Sequence, residues 1–282
     1  MLSLDSLPSD FTIYFISFTF RTGTNLLCDY LSANGLGFPA EYFQYPYGER
    51  NRELFEELDI QNNDLATCLE RLLLRRSRNG VFGAKMSWDH RNVLEEEITK
   101  RFPGLMELED VFPGARWIHS ERRDKIGQAI SLWLAQNTGK WDSRSRASAG
   151  DPEYDYYALF TCFFSILALD YIWKDYFARH NLQPLVVVYE DFIEQPRKTI
   201  ADLYRFIKNE DLAEPENIVI NSTLGVQRDR FSETIRERFM EDLDHVGAPD
   251  YWAPRKAQVD RWNDFHFKTG WAPQPSTSGS PL

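Results

Sequence analysis

The chain has 282 residues and a formal net charge of −11, with 43% hydrophobic and 15% aromatic content. That length allows one large α/β domain or two small ones, with enough apolar mass for a sizeable core. The acidic balance excludes general nucleic-acid binding, which needs a basic face, but not a small anionic ligand in a local basic pocket. Cys28, Cys68 and Cys162 are scattered, odd in number and without metal-ligand spacing, so free buried thiols in a reducing compartment are expected. Residues 1–10 lack the basic and apolar regions of a signal peptide. No uninterrupted apolar run is long enough to span a bilayer, and the richest, 156–172, carries Asp170 and Thr161 and reads as a buried helix. The expectation is a cytoplasmic protein without a membrane span.

Residues 11–20 form an apolar, β-branched and aromatic run that reads as a buried strand. The run ends in Arg21-Thr22-Gly23-Thr24-Asn25 and becomes a helix with Leu26, Leu27, Tyr30 and Leu31 at helical spacing. Such a strand–turn–helix makes an anion site, because free N–H groups and the positive end of the helix dipole point at one spot. Gly23 allows close backbone approach, and Arg21 adds a charged fork. The turn has neither a Walker A nor a dinucleotide glycine pattern. An ordinary turn with a surface arginine is the alternative reading.

Gly35 and Gly37 break the first helix, and the aromatic stretch Phe38-Pro39-Ala40-Glu41-Tyr42-Phe43-Gln44-Tyr45 follows. A helix returning the chain to the same end of the sheet would put Glu41 near the turn. An acid among aromatics can have its pKa raised by desolvation, which suits a general base; a surface carboxylate is the plainer reading. Residues 51–78 read as a solvated helix with Asp64 as a cap. Residues 81–88 read as the second strand, with Lys85, Trp88, Asp89 and His90 at its carboxyl end, where open α/β sheets bind ligands. Lys85 can meet an anion there and Trp88 can stack on a sugar or base, or both can be structural. A helix over 92–101 follows, then turns at Pro103-Gly104 and Pro113-Gly114.

Residues 115–122 read as the third strand, ending in Arg122-Arg123-Asp124 before a helix that carries Ser131. A strand-end arginine and a serine on the next helix can grip a second phosphate; an arginine paired with Asp124 is the alternative. Residues 141–152 are a polar loop or a lid. A long aromatic helix over 153–180, a strand over 184–191 and helices over 196–208 and 232–244 complete a single domain of residues 1–272. The tail 273–282 should be disordered. Alternating strands and helices predict an α/β fold, a largely parallel sheet with helices on both faces.

Three stretches together resemble the sulfotransferases that use 3′-phosphoadenosine 5′-phosphosulfate (PAPS), a P-loop-like three-layer sandwich. They are Phe20–Asn25, Arg122–Ser131, and Val188-Tyr189-Glu190-Asp191-Phe192 followed by Pro196. Closer still is the bacterial trehalose 2-sulfotransferase family. It is matched by Thr19–Leu27, Glu41-Tyr42-Phe43-Gln44-Tyr45, Gly83-Ala84-Lys85-Met86-Ser87-Trp88, Gln128-Ala129-Ile130-Ser131, Gln227 and Arg238-Phe239. Thr22 and Thr24 stand where that family has serines, and Asn25 where it has threonine. Residues 141–155 and those beyond 244 do not match.

The resemblance implies PAPS as co-substrate, no metal, a carbohydrate or glycolipid acceptor such as trehalose, and a dimer. It implies that Arg21, Thr22, Gly23, Thr24 and Asn25 hold the 5′-phosphosulfate, and that Arg122 or its neighbour Arg123, with Ser131, holds the 3′-phosphate. Gln227 and Arg228 would close over the nucleotide. Glu41 would act as base, and Gln44, Lys85 and Trp88 would face the acceptor. A P-loop-type kinase and a non-catalytic nucleotide- or glycan-binding protein are the competing readings.

Overall fold

A computed structural model describes residues 7–8, 10–43, 56–57, 65–141, 144, 150–212, 215–224 and 230–246. Asp64, Gln44, Gln227, Arg228, the tail and most of 142–149 lie outside the described residues.

Four strands, β1 (Thr12–Phe18), β2 (Val81–Met86), β3 (Arg116–Glu121) and β4 (Leu185–Val188), form one sheet in the order β2-β1-β3-β4. Every pairing is parallel. The fold is the expected α/β three-layer sandwich. Alternation along β1 feeds both faces, as a pleated strand must. Tyr14 and Ile16 join one core cluster with Leu27 and Leu31 of α1 (Thr24–Ala33) and Ile200 and Leu203 of a later helix, Pro196–Lys208. Phe15 joins the opposite cluster with Leu69 and Leu72 of α2 (Leu65–Arg75), Leu94 and Ile98 of α3 (Trp88–Arg101), and Leu108 of α4 (Leu108–Val111).

A third cluster joins α5 (Lys125–Thr138), α6 (Tyr156–Arg179) and a C-terminal helix, Arg230–Val246, through Trp133, Leu159, Ile166 and Phe239. Among the described residues the remaining α-helices are α7 (Tyr189–Glu194), α8 (Pro196–Lys208) and α9 (Arg230–Val246). The chain leaves β1 for the face of α1 and leaves β3 for the face of α6. The gap between their carboxyl ends is therefore the topological switch point, where such sheets bind ligands.

Several boundaries differ from the sequence expectation, among them the end of the helix expected over 51–78, which stops at Arg75. The second strand stops at Met86, because Ser87 caps α3: its hydroxyl accepts from the His90 N–H at 3.3 Å while His90 Nδ1 accepts from the Ser87 N–H. The helix therefore begins at Trp88, and burial among its neighbours lowers the His90 pKa. The fourth strand stops at Val188, and Tyr189-Glu190-Asp191 open α7 instead of extending it. The chain returns to the switch point not through a helix but through an extended stretch beside β2, where the Lys85 N–H donates to the Ala40 carbonyl at 2.9 Å.

Helix α6 is long and apolar enough by composition to cross a membrane, but only 33% of its apolar window is buried in the domain. The expected buried helix thus has one buried face, carrying Trp173, Tyr176 and Phe177. The other exposes Leu167 and Tyr171. All three cysteines are free and buried, and burial pushes the Cys28 and Cys162 thiols up to about 12.

Gly83 sits in β2 against Tyr14, whose hydroxyl donates to the Leu36 carbonyl at 2.7 Å. A Cβ there would lie 2.2 Å from the Tyr14 ring. Gly83→Ala should therefore cost about 2–3 kcal/mol by overpacking, read as a lower denaturation midpoint.

Across β1 and β3, Ser17 Oγ lies 2.9 Å from His119 Nδ1, and His119 Nε2 lies 3.4 Å from Glu121. That ring, first, and the Lys174 ammonium at 3.0 Å hold the Glu121 carboxyl down at about 2. A depressed acid stabilises the fold above its unfolded pKa of about 4.3 and loses that contribution as pH falls toward the folded value. Glu121→Gln should cost about 1 kcal/mol near neutrality, with the difference from wild type vanishing toward about pH 2 in acid-denaturation curves.

Candidate functional site

The turn from β1 into α1 defines the site. Gly23 caps α1 at φ 76 and Arg21 also has a positive φ, 70. Left-handed backbone at a non-glycine residue costs about 1–2 kcal/mol, and neighbouring groups hold it in place. The Thr22 hydroxyl donates to the Thr19 carbonyl at 3.1 Å. From the end of β3, Ser120 donates to the Thr22 carbonyl and Arg122 to the Arg21 carbonyl, each at 3.3 Å. From α5, Gln128 donates to the Phe20 carbonyl at 2.8 Å. The Arg21 guanidinium donates from Nε to Ser131 Oγ at 2.8 Å and from another nitrogen to the Trp141 carbonyl.

The two expected phosphate grips are thus one stitched unit, and Ser131 bonds to Arg21 rather than to Arg122. The structure separates the adjacent arginines. Arg123 is exposed and forked onto Asp191 at 2.6 and 2.7 Å. Arg122 has only 17% of its side chain exposed, stacks over the Tyr189 ring at 5.1 Å, and keeps a buried Nε without a hydrogen-bond partner. Burial lowers its pKa. That Nε lies 4.0 Å from Glu190 Oε1, so the guanidinium sits desolvated between the Glu190 and Asp124 carboxylates.

Asp124 lies 3.9 Å from Arg122 and pairs with Arg236 of α9. It also caps α5, accepting from the Gly127 N–H at 2.9 Å. Burial pushes its pKa up, but Arg236, the Gly127 N–H and Arg122 together outweigh burial and hold it below its ordinary value. Glu190 accepts from the N–H groups of Arg123 and Asp124 at 3.0 and 3.1 Å. This gives the Tyr-Glu-Asp stretch a physical job: its glutamate fixes the backbone that follows β3. Burial opposes its ionisation, and those two N–H groups prevail.

On the other side of the turn, Lys85 is 7% exposed and lies over the Phe18 ring at 5.2 Å. Its ammonium pairs with Glu41 at 2.6 Å and donates to the Asn25 side chain at the start of α1. Glu41 is held there from both sides, by the Ala40 bridge to β2 and by Tyr42 and Phe43 packed into the core. Glu41, Lys85 and Asn25 therefore meet at the same helix N-terminus as Arg21. Trp88 does not join them. It packs edge-on against Trp173 and Tyr176 at 5.1 and 5.8 Å with Arg91 over its face, which is its structural alternative.

Sequence reasoning passed over Gln128 and Asp170 as site residues. The signals were a glutamine three residues before Ser131 and a lone carboxylate in an apolar helix. Among the described residues, Glu107, Glu109 and His180 bring ligand atoms within 4.8 Å of one another. They lie at the opposite end of the sheet, where His180 pairs with Glu107 at 3.1 Å and Glu109 accepts from Tyr176.

The strand-end turn, the second arginine and the acid–lysine pair thus lie together at the carboxyl ends of β1, β2 and β3. The chain belongs to the Stf0 sulphotransferase family, whose profile matches residues 13–242. It is 25% identical over 269 residues to a trehalose 2-sulfotransferase of Mycolicibacterium smegmatis, covering 84% of this chain and 98% of that one. It is 27% identical over 269 residues to a trehalose 2-sulfotransferase of Mycobacterium tuberculosis, covering 84% and 97%. Among solved structures it is similar to the sulfotransferase domain from the Curacin biosynthetic pathway. There the TM-score is 0.43 at 12% identity, covering 91% of this chain and 98% of that one.

A Cβ on Gly23 would lie 2.5 Å from the Tyr189 ring and would also face a positive φ. Gly23→Ala should destabilise the domain by about 1–3 kcal/mol, read as a lower denaturation midpoint.

Proposed function

We propose that this protein transfers a sulfuryl group from PAPS to a hydroxyl of a carbohydrate acceptor, with trehalose the first candidate. The observation that carries the reading is the shared ammonium of Lys85, which ties Asn25 in the anion turn to Glu41. A donor held in the turn and a hydroxyl held by the acid would therefore lie side by side. Family membership and the two trehalose 2-sulfotransferase relatives support the reaction class.

The acceptor oxygen attacks sulfur. The bond from sulfur to the donor's phosphate oxygen breaks, and the hydroxyl proton passes to the Glu41 carboxylate. The products are a sulfate ester and 3′-phosphoadenosine 5′-phosphate. Arg21 and the first N–H groups of α1 face the leaving oxygen and stabilise its growing charge. Thr24 is buried at the first position of α1, and Thr22 contributes its N–H, since its hydroxyl is spent on Thr19. Arg122 takes the 3′-phosphate in preference to Arg123, which Asp191 already engages. Lys85 orients Glu41 and lies beside the transferred group.

Labelled sulfate transfer from PAPS to a glycan panel that includes trehalose tests the reading. Glu41→Gln should lower kcat by about 100-fold or more with nucleotide binding retained. Arg21→Ala should lower kcat/KM by a similar factor, about 100-fold. Intact nucleotide binding without transfer to any sugar would leave a nucleotide-binding protein and sink the enzymatic reading. Dependence on ATP and magnesium would instead favour a kinase.

A further inference from the structure

Asp170 is 6% exposed in the middle of the apolar helix α6. A buried carboxylate is costly unless its oxygens are well partnered. One oxygen accepts from the Thr19 hydroxyl at 3.0 Å across 151 residues of sequence, and the other accepts from the Lys125 ammonium. The Thr19 hydroxyl in turn accepts from Gln128 Nε2 at 2.8 Å, and that same amide nitrogen holds the Phe20 carbonyl. Donating once and accepting once, Thr19 is locked in orientation, and its carbonyl then receives the Thr22 hydroxyl. The chain of bonds brackets Arg21, whose backbone occupies the left-handed region. Lys125 is the first residue of α5, the wrong end of a helix dipole for a cation, and Asp170 neutralises it there.

We propose that Asp170 is a positioning residue: through Thr19 it fixes the backbone of 19–22 so that Arg21 faces the donor's phosphosulfate. The role rests on the proposed donor. The side-chain oxygens of Asp170 bond to Thr19 and Lys125 and not to Arg21, so a positioning role shows on the donor side of the reaction. A purely structural role would depress donor and acceptor affinity together, along with stability.

Thr19→Val removes the hydroxyl bond but leaves the Asp170–Lys125 pair, whereas Asp170→Asn removes the charge that holds Lys125 and keeps an acceptor oxygen for Thr19. Both are made in the full chain and assayed for donor KM, acceptor KM, kcat, thermal midpoint and calorimetric affinity for 3′-phosphoadenosine 5′-phosphate. Loss of one hydrogen bond to a charged group corresponds to about a tenfold effect. Thr19→Val is expected to raise donor KM and the nucleotide Kd by about that factor while acceptor KM stays unchanged. Thr19→Ser should restore donor affinity, and the double variant should be no worse than the worse single one, since both act along one path. Where Asp170→Asn fails to fold, Thr19→Val and Thr19→Ser decide the matter alone. Wild-type nucleotide affinity in a folded Thr19→Val overturns the positioning role, as does a parallel rise in both KM values. Absence of nucleotide binding by the wild-type protein would instead overturn the donor reading itself, and the positioning role with it.

Discussion

The left-handed backbone at Arg21 and Gly23 is the constraint on which the rest of the site depends. A strand can pass into a helix within five residues only if the chain reverses sharply, and here two residues take positive φ to do so. At Gly23 this is nearly free; at Arg21 it costs about 1–2 kcal/mol. A flexible arginine on an unstrained loop would avoid that cost. It would also lose side-chain and backbone entropy on each binding event. Holding Arg21 in place beforehand shifts that ordering from binding to folding, the usual logic of a preorganised electrostatic site.

The sheet order explains how such a turn can be held. Because β1 and β3 are neighbours, their carboxyl ends lie side by side, and Ser120 and Arg122 reach the carbonyls of Thr22 and Arg21 directly. The carbonyls of the turn are thereby satisfied from β3. A helix start whose preceding carbonyls are occupied in this way suits an anion, because the backbone leads straight into the positive end of the α1 dipole.

Local patterns in the sequence made most of the framework legible. Proline at the first position of α8 and lysine at its last fixed that helix to the residue. The aromatic run of β1 and the strand-end arginines marked the switch point, and the acid in the aromatic loop does reach it. The misjudged boundaries are those set by side chains acting on distant or overlapping backbone. Ser87 and His90 form a reciprocal cap that pulls Trp88 out of the strand end and into the core, although a tryptophan at that place also fits sugar stacking. Glu190 ends β4 by turning back onto the N–H groups after β3. The strand end and the motif spacing favour Arg122 over Arg123, and Asp191, from a separate element, is what engages Arg123. Asp170 looked like an oddity in an apolar helix because its partner, Thr19, lies at the other end of the sequence.

These acids also bear on how an acidic protein presents a basic pocket. Asp124 lies between Arg122 and Arg236, Asp170 holds Lys125, and Asp191 holds Arg123. Each cation thus has a fixed partner and a fixed direction, which limits the free positive charge offered to passing anions. A lone chloride or carboxylate must compete with a carboxylate already in place and gains little. The character of the pocket therefore follows from how its cations are paired and placed, not from net charge, which is negative.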